Sequence, residues 1–234
     1  MKNLFLLTMA SLLLTAGYSQ QAGDKNLQNR PVAPFHGISV SDGIDLYISG
    51  GPQSVAVSAA DPEYRDHIKT EVENGILKIY MEKGYHRSRD NAKLKAIVSL
   101  TNLDRLGASG GSDTYLETAL TVNELHVDLS GGSNLKGKIT AGLLDIRQSG
   151  GSRVDLNGLV KNLAVEASGG SDLRGYDLVS DYVAVQASGG CNAFVTVNRE
   201  LKVVASGGSG VFYKGPANIK QIISSGSSRV VKKG

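Results

Sequence analysis

Leu144-Asp145-Ile146-Arg147-Gln148-Ser149-Gly150-Gly151-Ser152-Arg153-Val154-Asp155-Leu156 alternates apolar and polar residues on either side of a Ser-Gly-Gly-Ser tetrapeptide. Period-two alternation belongs to half-buried strands, whose successive side chains point to opposite faces. Glycines between two such strands mark a corner, because glycine takes φ > 0 and lets backbones approach closely. The unit recurs. Ser109-Gly110-Gly111, Ser130-Gly131-Gly132, Ser149-Gly150-Gly151, Ser168-Gly169-Gly170, Ser188-Gly189-Gly190 and Ser206-Gly207-Gly208 open six corners, and Ser225-Gly226-Ser227-Ser228 is a one-residue variant. From first serine to first serine the spacings are 21, 19, 19, 20, 18 and 19 residues. Thirteen of the chain's 29 glycines fall in these tetrapeptides, so the glycine excess is a period and not a composition.

The flanks carry the same pattern. Leu125/Val127, Leu144/Ile146, Leu163/Val165, Val183/Val185 and Leu201/Val203 stand five and three residues before the first serine; Leu135, Val154, Leu173, Ala193, Val211 and Val230 stand five after it. Looser returns such as Asn157-Gly158 and Lys214-Gly215-Pro216 close each unit. A 19-residue unit cannot bury its apolar face alone, but stacked coils with parallel strands about 4.8 Å apart bury a continuous core. The expected fold is all-β: a right-handed parallel β-solenoid (β-helix) of about seven rungs over residues 101–234. The leucine-rich consensus is missing, and a propeller blade would have to span two of these repeats.

Outward columns support stacking. Asp128, Arg147, Glu166 and Gln186 precede successive corners by two residues, and Lys136, Asp155 and Arg174 follow the first serine by six. Signs alternate between neighbouring rungs, as expected where opposed like charges would destabilise the sheet. Towards the C-terminus the columns turn apolar, as Val204 and Ile223 and as Phe194, Phe212 and Val231. These five are expected to face outward, under another segment or in a partner interface.

The N-terminal third departs from the rhythm. Met1 to Ser19 reads as a secretory signal peptide: Lys2, an apolar run from Leu4 to Gly17, and small residues Gly17 and Ser19 before a cut at Gln20. Residues 20–34 are polar and expected to be a flexible linker. Residues 35–100 read as an N-terminal β region or cap, with strand patterns Ile38/Val40, Ile44/Leu46/Ile48 and Val55/Val57. Ser49-Gly50-Gly51-Pro52 resembles a degenerate corner, Asp61-Pro62-Glu63 starts a short helix through Ile68, and Asn74-Gly75 marks a β-hairpin. Gly84 to Lys95 is a basic loop carrying His86, Arg87, Arg89, Lys93 and Lys95. No later apolar stretch reaches the roughly 20 residues of a spanning helix. The mature chain is therefore expected to lack a transmembrane segment and to be exported, to the periplasm, the outer surface or the medium.

Composition narrows the function classes. With 25 basic and 22 acidic residues the net charge of +3 is too balanced to imply nucleic acid. The single cysteine, Cys191, allows no intramolecular disulfide, and it takes the corner slot held elsewhere by Ser112, Ser133, Ser152, Ser171, Ser209 and Ser228. A structural exchange of serine for cysteine explains it better than a nucleophile. Gly107-Ala108-Ser109-Gly110-Gly111 matches G-x-S-x-G, yet that elbow needs a helix after the serine, where Tyr115 and Leu116 indicate a strand. Ser133-Asn134-Leu135-Lys136 matches S-x-x-K without its companion motifs. A calcium β-roll would need a nine-residue period and repeated aspartate, while Arg153 and Arg229 stand in the relevant column. His36, His67, His86 and His126 lack ligand spacing, and each glycine pair leads into a strand, not the helix of a phosphate loop. No catalytic, cofactor or metal residues are assigned.

The repeated Ser-Gly-Gly-Ser with alternating flanks, preceded by Ser39-Val40-Ser41-Asp42-Gly43-Ile44-Asp45-Leu46 and by Ile68–Met81, resembles the head GIN domain family over roughly residues 35–230. That family of exported bacterial proteins carries the label of auto-transporter adhesin and no established active-site residues. The resemblance implies an exported β-solenoid with an adhesive or surface role. After the last rung only Val230-Val231-Lys232-Lys233-Gly234 remain, so a complete autotransporter with its own barrel is not expected. The leading expectation is a non-enzymatic cell-envelope protein presenting a rigid surface, with a homo-oligomer, a cell-surface glycan or an envelope protein as partner. The alternatives are a carbohydrate-active β-helix enzyme using Asp155 beside Lys136 and Arg174, and a structural envelope component without a ligand.

Overall fold

The computed structural model describes residues 24–85 and 92–234. The signal peptide, and His86, Arg87 and Arg89 of the basic loop, lie outside the described residues. In chain order the elements are β1 (Gln28–Asn29), β2 (Gly37–Val40), β3 (Asp45–Gly50), β4 (Ser54–Ser58), α1 (Pro62–Asp66), β5 (Ile68–Glu73), β6 (Ile76–Met81), β7 (Lys95–Leu100), β8 (Arg105–Ala108) and β9 (Asp113–Leu116). There follow β10 (Leu120–Leu129), β11 (Asn134–Gln148), β12 (Arg153–Ala167), β13 (Asp172–Ala187), β14 (Asn192–Ala205), β15 (Gly210–Lys214), β16 (Asn218–Ser224) and β17 (Arg229–Lys232).

The repeats stack in parallel and in register. Leu144 pairs with Leu163, Leu163 with Val183 and Val183 with Leu201, one rung at each step. Face A precedes each corner: β8, the C-terminal halves of β10 to β14, and β16. Face B follows the corner: β9, the N-terminal parts of β11 to β14, β15 and β17. A third side stacks Leu120 on Ile139, Ile139 on Gly158 and Gly158 on Leu178. The inward columns form one continuous core, in which Leu144, Ile146, Val154, Leu173, Val195 and Val203 are wholly buried. This is the seven-corner β-solenoid that the period predicts.

The corners show why glycine recurs. At the first glycine φ is positive in every rung, for example 68° at Gly150 and Gly169. A Cβ at Gly169 would lie 3.1 Å from both the N and the O of Gly150 in the rung before. From the third corner on the second glycine is freer: at Gly170 the nearest atom to a Cβ is 3.6 Å away and φ is not positive, whereas Gly111 and Gly132 still take φ of 79° and 81°. That freedom lets Ser227 occupy the same position in the seventh corner. The fourth corner residue points inward and ties rungs together. Ser133 Oγ donates to the Ala108 carbonyl at 2.9 Å and Ser209 Oγ to that of Ala187 at 3.2 Å.

The N-terminal region both extends the solenoid and caps it. Val40 pairs with Ala108, which sets Ser41-Asp42-Gly43-Ile44 over Ser109-Gly110-Gly111-Ser112. Asp42 and Gly43 take φ of 62° and 68°, and Ile44 N–H donates to Ser112 Oγ at 3.1 Å. The degenerate corner is therefore Ser41–Ile44. Ser49 and Gly50 instead lie within β3, and Gly51 carries the chain on towards β4. Aspartate and glycine are among the residues that tolerate the left-handed region, which is why this corner works without the repeat's signature.

β2 and β3 also pair on their other side with β6 and β7. The layer formed later in the chain thus lies outside the earlier one, and the chain then crosses back to β8. β4 and β5 run antiparallel to β7 and β6 and close this end. The hairpin turns at Asn74-Gly75, with φ of 52° and 75°. α1 begins with Asp61 capping Glu63 N–H at 2.9 Å and ends at Asp66, because Ile68 already starts β5. From Asp24 onwards the segment expected to be a linker is tied down. β1 pairs with β4, and the Asn26 amide donates to the Ala59 carbonyl at 3.0 Å.

Candidate functional site

Recesses in the described surface lie on face A. One, of about 520 Å³, runs along the solenoid axis beside the corners, past Asp128, Arg147, Glu166, Gln186 and Val204. These five rungs span about 19 Å at a strand spacing of about 4.8 Å. One wall is the column of first corner serines, Ser130, Ser149, Ser168, Ser188 and Ser206. Ser188 is exposed and the others are half-buried, so a corner serine borders the recess at every rung. A second recess of about 270 Å³, lined by Leu143, Asn162, Tyr182, Glu200 and Lys202, flanks the other side of face A. Ala164 and Ala184 lie between the two, and their small side chains leave a shallow trough.

At the N-terminal end of the trough the charges are interlocked. His126 Nε2 lies 2.8 Å from Glu124 Oε1, and its Nδ1 lies 3.2 Å from Asp145 Oδ2. Arg147 reaches Asp145 at 3.6 Å and Glu166 at 3.7 Å. The chain His126–Asp145–Arg147–Glu166 runs diagonally over three rungs and stiffens the face without leaving an isolated nucleophile or base. Sequence reasoning followed the column two residues before each corner. It missed His126, Asp145, Ala164, Ala184 and Lys202, four before the corner, although the same period-two parity points them outward.

Face B carries the other predicted positions. Lys136, Asp155 and Arg174 are direct neighbours on successive rungs. Phe194 and Phe212 stack on each other with centroids 5.1 Å apart, and Tyr47 stacks on Tyr115 at the same distance. Lys214 lies over Tyr176 at 4.4 Å and Lys233 over Phe212 at 5.3 Å. Ring faces are thus committed within the protein and are poor platforms for a sugar. Val204 and Ile223 point outward on face A, 41% and 48% exposed, while Phe194, Phe212 and Val231 are half-buried on face B.

Cys191 sits wholly buried in the inner corner column, its thiol 3.4 Å from the Ala167 carbonyl, in the bond that Ser133, Ser209 and Ser228 make. Burial pushes its pKa up, which keeps it a thiol and makes it a poor nucleophile. Ser109 and Ser133 are likewise corner residues, each followed by a strand. Among the described residues no three His, Cys, Asp or Glu side chains converge on a metal site. No described helix is long and apolar enough to cross a membrane.

The family model described as "Putative auto-transporter adhesin, head GIN domain" matches residues 34–217. No protein of curated function matches. Solved structures share the fold. A "putative adhesin" from Bacteroides fragilis superposes with a TM-score of 0.78 at 20% identity, covering 89% of this chain and 95% of its own. Another from Parabacteroides distasonis gives 0.69 at 20% identity, covering 88% and 96%. A "Putative lipid binding protein" from the same species gives 0.63 at 17%, covering 91% and 98%.

Proposed function

Because the chain belongs to the head GIN domain family, we propose that it is an exported, non-enzymatic binding module of the cell envelope, an adhesin whose face A takes a linear, polyhydroxylated cell-surface glycan. The groove beside the corners carries this reading. It spans five rungs, and it sets a serine at each rung beside a side chain that changes from rung to rung. A repeating hydroxyl suits a repeating ligand, and Asp128, Arg147, Glu166 and Gln186 supply selectivity. On face A the parallel pairing is continuous from Asn162–Ala167 through Tyr182–Ala187 to Glu200–Ala205, which keeps the groove in one shape, so little ordering cost accompanies binding.

The experiment is binding of the exported chain to arrayed glycans and to envelope fractions. Arg147→Ala and Gln186→Ala should weaken binding at least about tenfold, the effect of losing one or two charged or polar contacts. Asp155→Ala on face B should leave it unchanged. Binding indifferent to both groove variants would overturn the assignment to face A. Polysaccharide turnover abolished by Asp155→Asn would replace the adhesin with an enzyme.

A further inference from the structure

The two ends of the solenoid are finished differently. At the N-terminal end, antiparallel β4 and β5 close the stack. At the other end β16 pairs with β14, and β17 with β15. Among the described residues the outer edges of β16 and β17 have no partner strand. All seven residues of β16 are exposed, Ile219, Ile222 and Ile223 by 37%, 42% and 48%. Ile222 pairs with Val203 and Val230 with Val211, both in wholly buried inward columns. Their side chains are core positions of a layer over which no described strand lies.

Charge is concentrated at the same end. Residues 199–234 hold seven basic side chains and one acidic, a net of +6 in a chain whose total is +3, so everything before them sums to −3. The single carboxylate, Glu200, pairs with Lys220 at 3.3 Å. Arg229 and Lys232 make no ion pair within 4 Å among the described residues.

We propose that this end is a strand-addition site for an extended acidic segment of a partner protein, in which apolar residues alternate with carboxylates. Its main chain would pair with the open edge of β16. Its apolar side chains would cover Ile219 and Ile222, and its carboxylates would meet Lys202, Lys220 and Arg229. A second copy fits less well. Apposed ends would bring +6 against +6, and strands of seven and four residues fall short of the roughly 20–30 residues a side of a stable interface. A bilayer would satisfy the isoleucines but leave the edge amides unpaired.

The test uses a fluorescent nonapeptide of alternating glutamate and valine, followed by anisotropy with the full exported chain. Saturable binding is expected at about 50 mM salt, at least tenfold tighter than for a lysine–valine peptide, and weakening severalfold by about 300 mM as screening grows. Amide exchange should slow in β16 when the peptide binds. Ile222→Asp should cut affinity at least about tenfold with an unchanged melting curve, and the β-branched Ile222→Thr should cut it less. The proposal fails on any of four results: no saturation up to about 1 mM, equal binding of the lysine peptide, protection away from β16, or self-association that occludes β16. Binding to phosphatidylglycerol vesicles in place of the peptide would assign the end to a membrane and overturn it too.

Discussion

Gly169 and Gly170 are neighbours in one corner, yet replacing each by alanine should move stability in opposite directions. At Gly169 φ is +68°, and an L-residue in the left-handed region costs about 1–2 kcal/mol. The new Cβ would also stand 3.1 Å from Gly150 N and O. Those atoms cannot give way easily, since the Gly150 carbonyl accepts from Gly170 N–H at 2.8 Å. Overpacking against fixed backbone adds about 1–3 kcal/mol, while the stiffer unfolded chain returns about 0.4–1 kcal/mol. Gly169→Ala should therefore destabilise by about 1–5 kcal/mol. At Gly170 the nearest atom is 3.6 Å away and φ is ordinary, so only the unfolded-state gain remains. Gly170→Ala should stabilise by about 0.4–1 kcal/mol. Urea unfolding of both variants by far-ultraviolet circular dichroism, with slopes compared to check that cooperativity is unchanged, measures the difference. Equal costs at the two positions, or a cost under about 1 kcal/mol at Gly169, would refute the claim that the first glycine alone is required by stacking.

Gln148 is 3% exposed with neither side-chain amide atom hydrogen-bonded, between Leu129 and Ala167 in an inward column. Gln148→Leu should raise stability by about 1–2 kcal/mol, read as a shift in urea midpoint, because it removes an unsatisfied buried group. Cys191→Ser keeps the bond to the Ala167 carbonyl and should stay within about 1 kcal/mol of the parent. The Cys191 thiol should react with Ellman's reagent only on unfolding. Partial burial and the neighbouring Asp113 carboxylate push the Tyr115 pKa from its ordinary 10 up to about 12. The folded state then holds this proton more tightly than the unfolded one. The contribution is present in full below pH 10 and is lost as pH rises towards about 12. Absorbance titration at alkaline pH should show a latest-titrating phenol component that Tyr115→Phe removes.

The corners from Ser109 to Ser228 were legible because each repeats the same steric demand, and a repeated demand leaves a repeated residue. Ser41-Asp42-Gly43-Ile44 was not, because aspartate and glycine meet that demand without the serine–glycine signature. The order of the N-terminal layers was also hidden. Ile38/Val40, Leu77/Ile79 and Leu106/Ala108 carry one alternating pattern, and nothing local says which lies beside which. For the site, Arg147, Glu166, Gln186 and Val204 were readable as outward residues. That they line a groove was not, since the recess forms only where this column stands beside the corner serines of five stacked rungs.

Sequence by itself determined the solenoid, its rung length, the inward and outward residues and the structural place of Cys191. All of these follow from local backbone geometry repeated along the chain. Only the tertiary structure decided that the chain folds back to place a later layer outside an earlier one, that aromatic faces are spent on each other, and that one end is closed and the other open. Those features arise between segments far apart in sequence, where many pairings share the same local pattern and only simultaneous packing of all of them selects one.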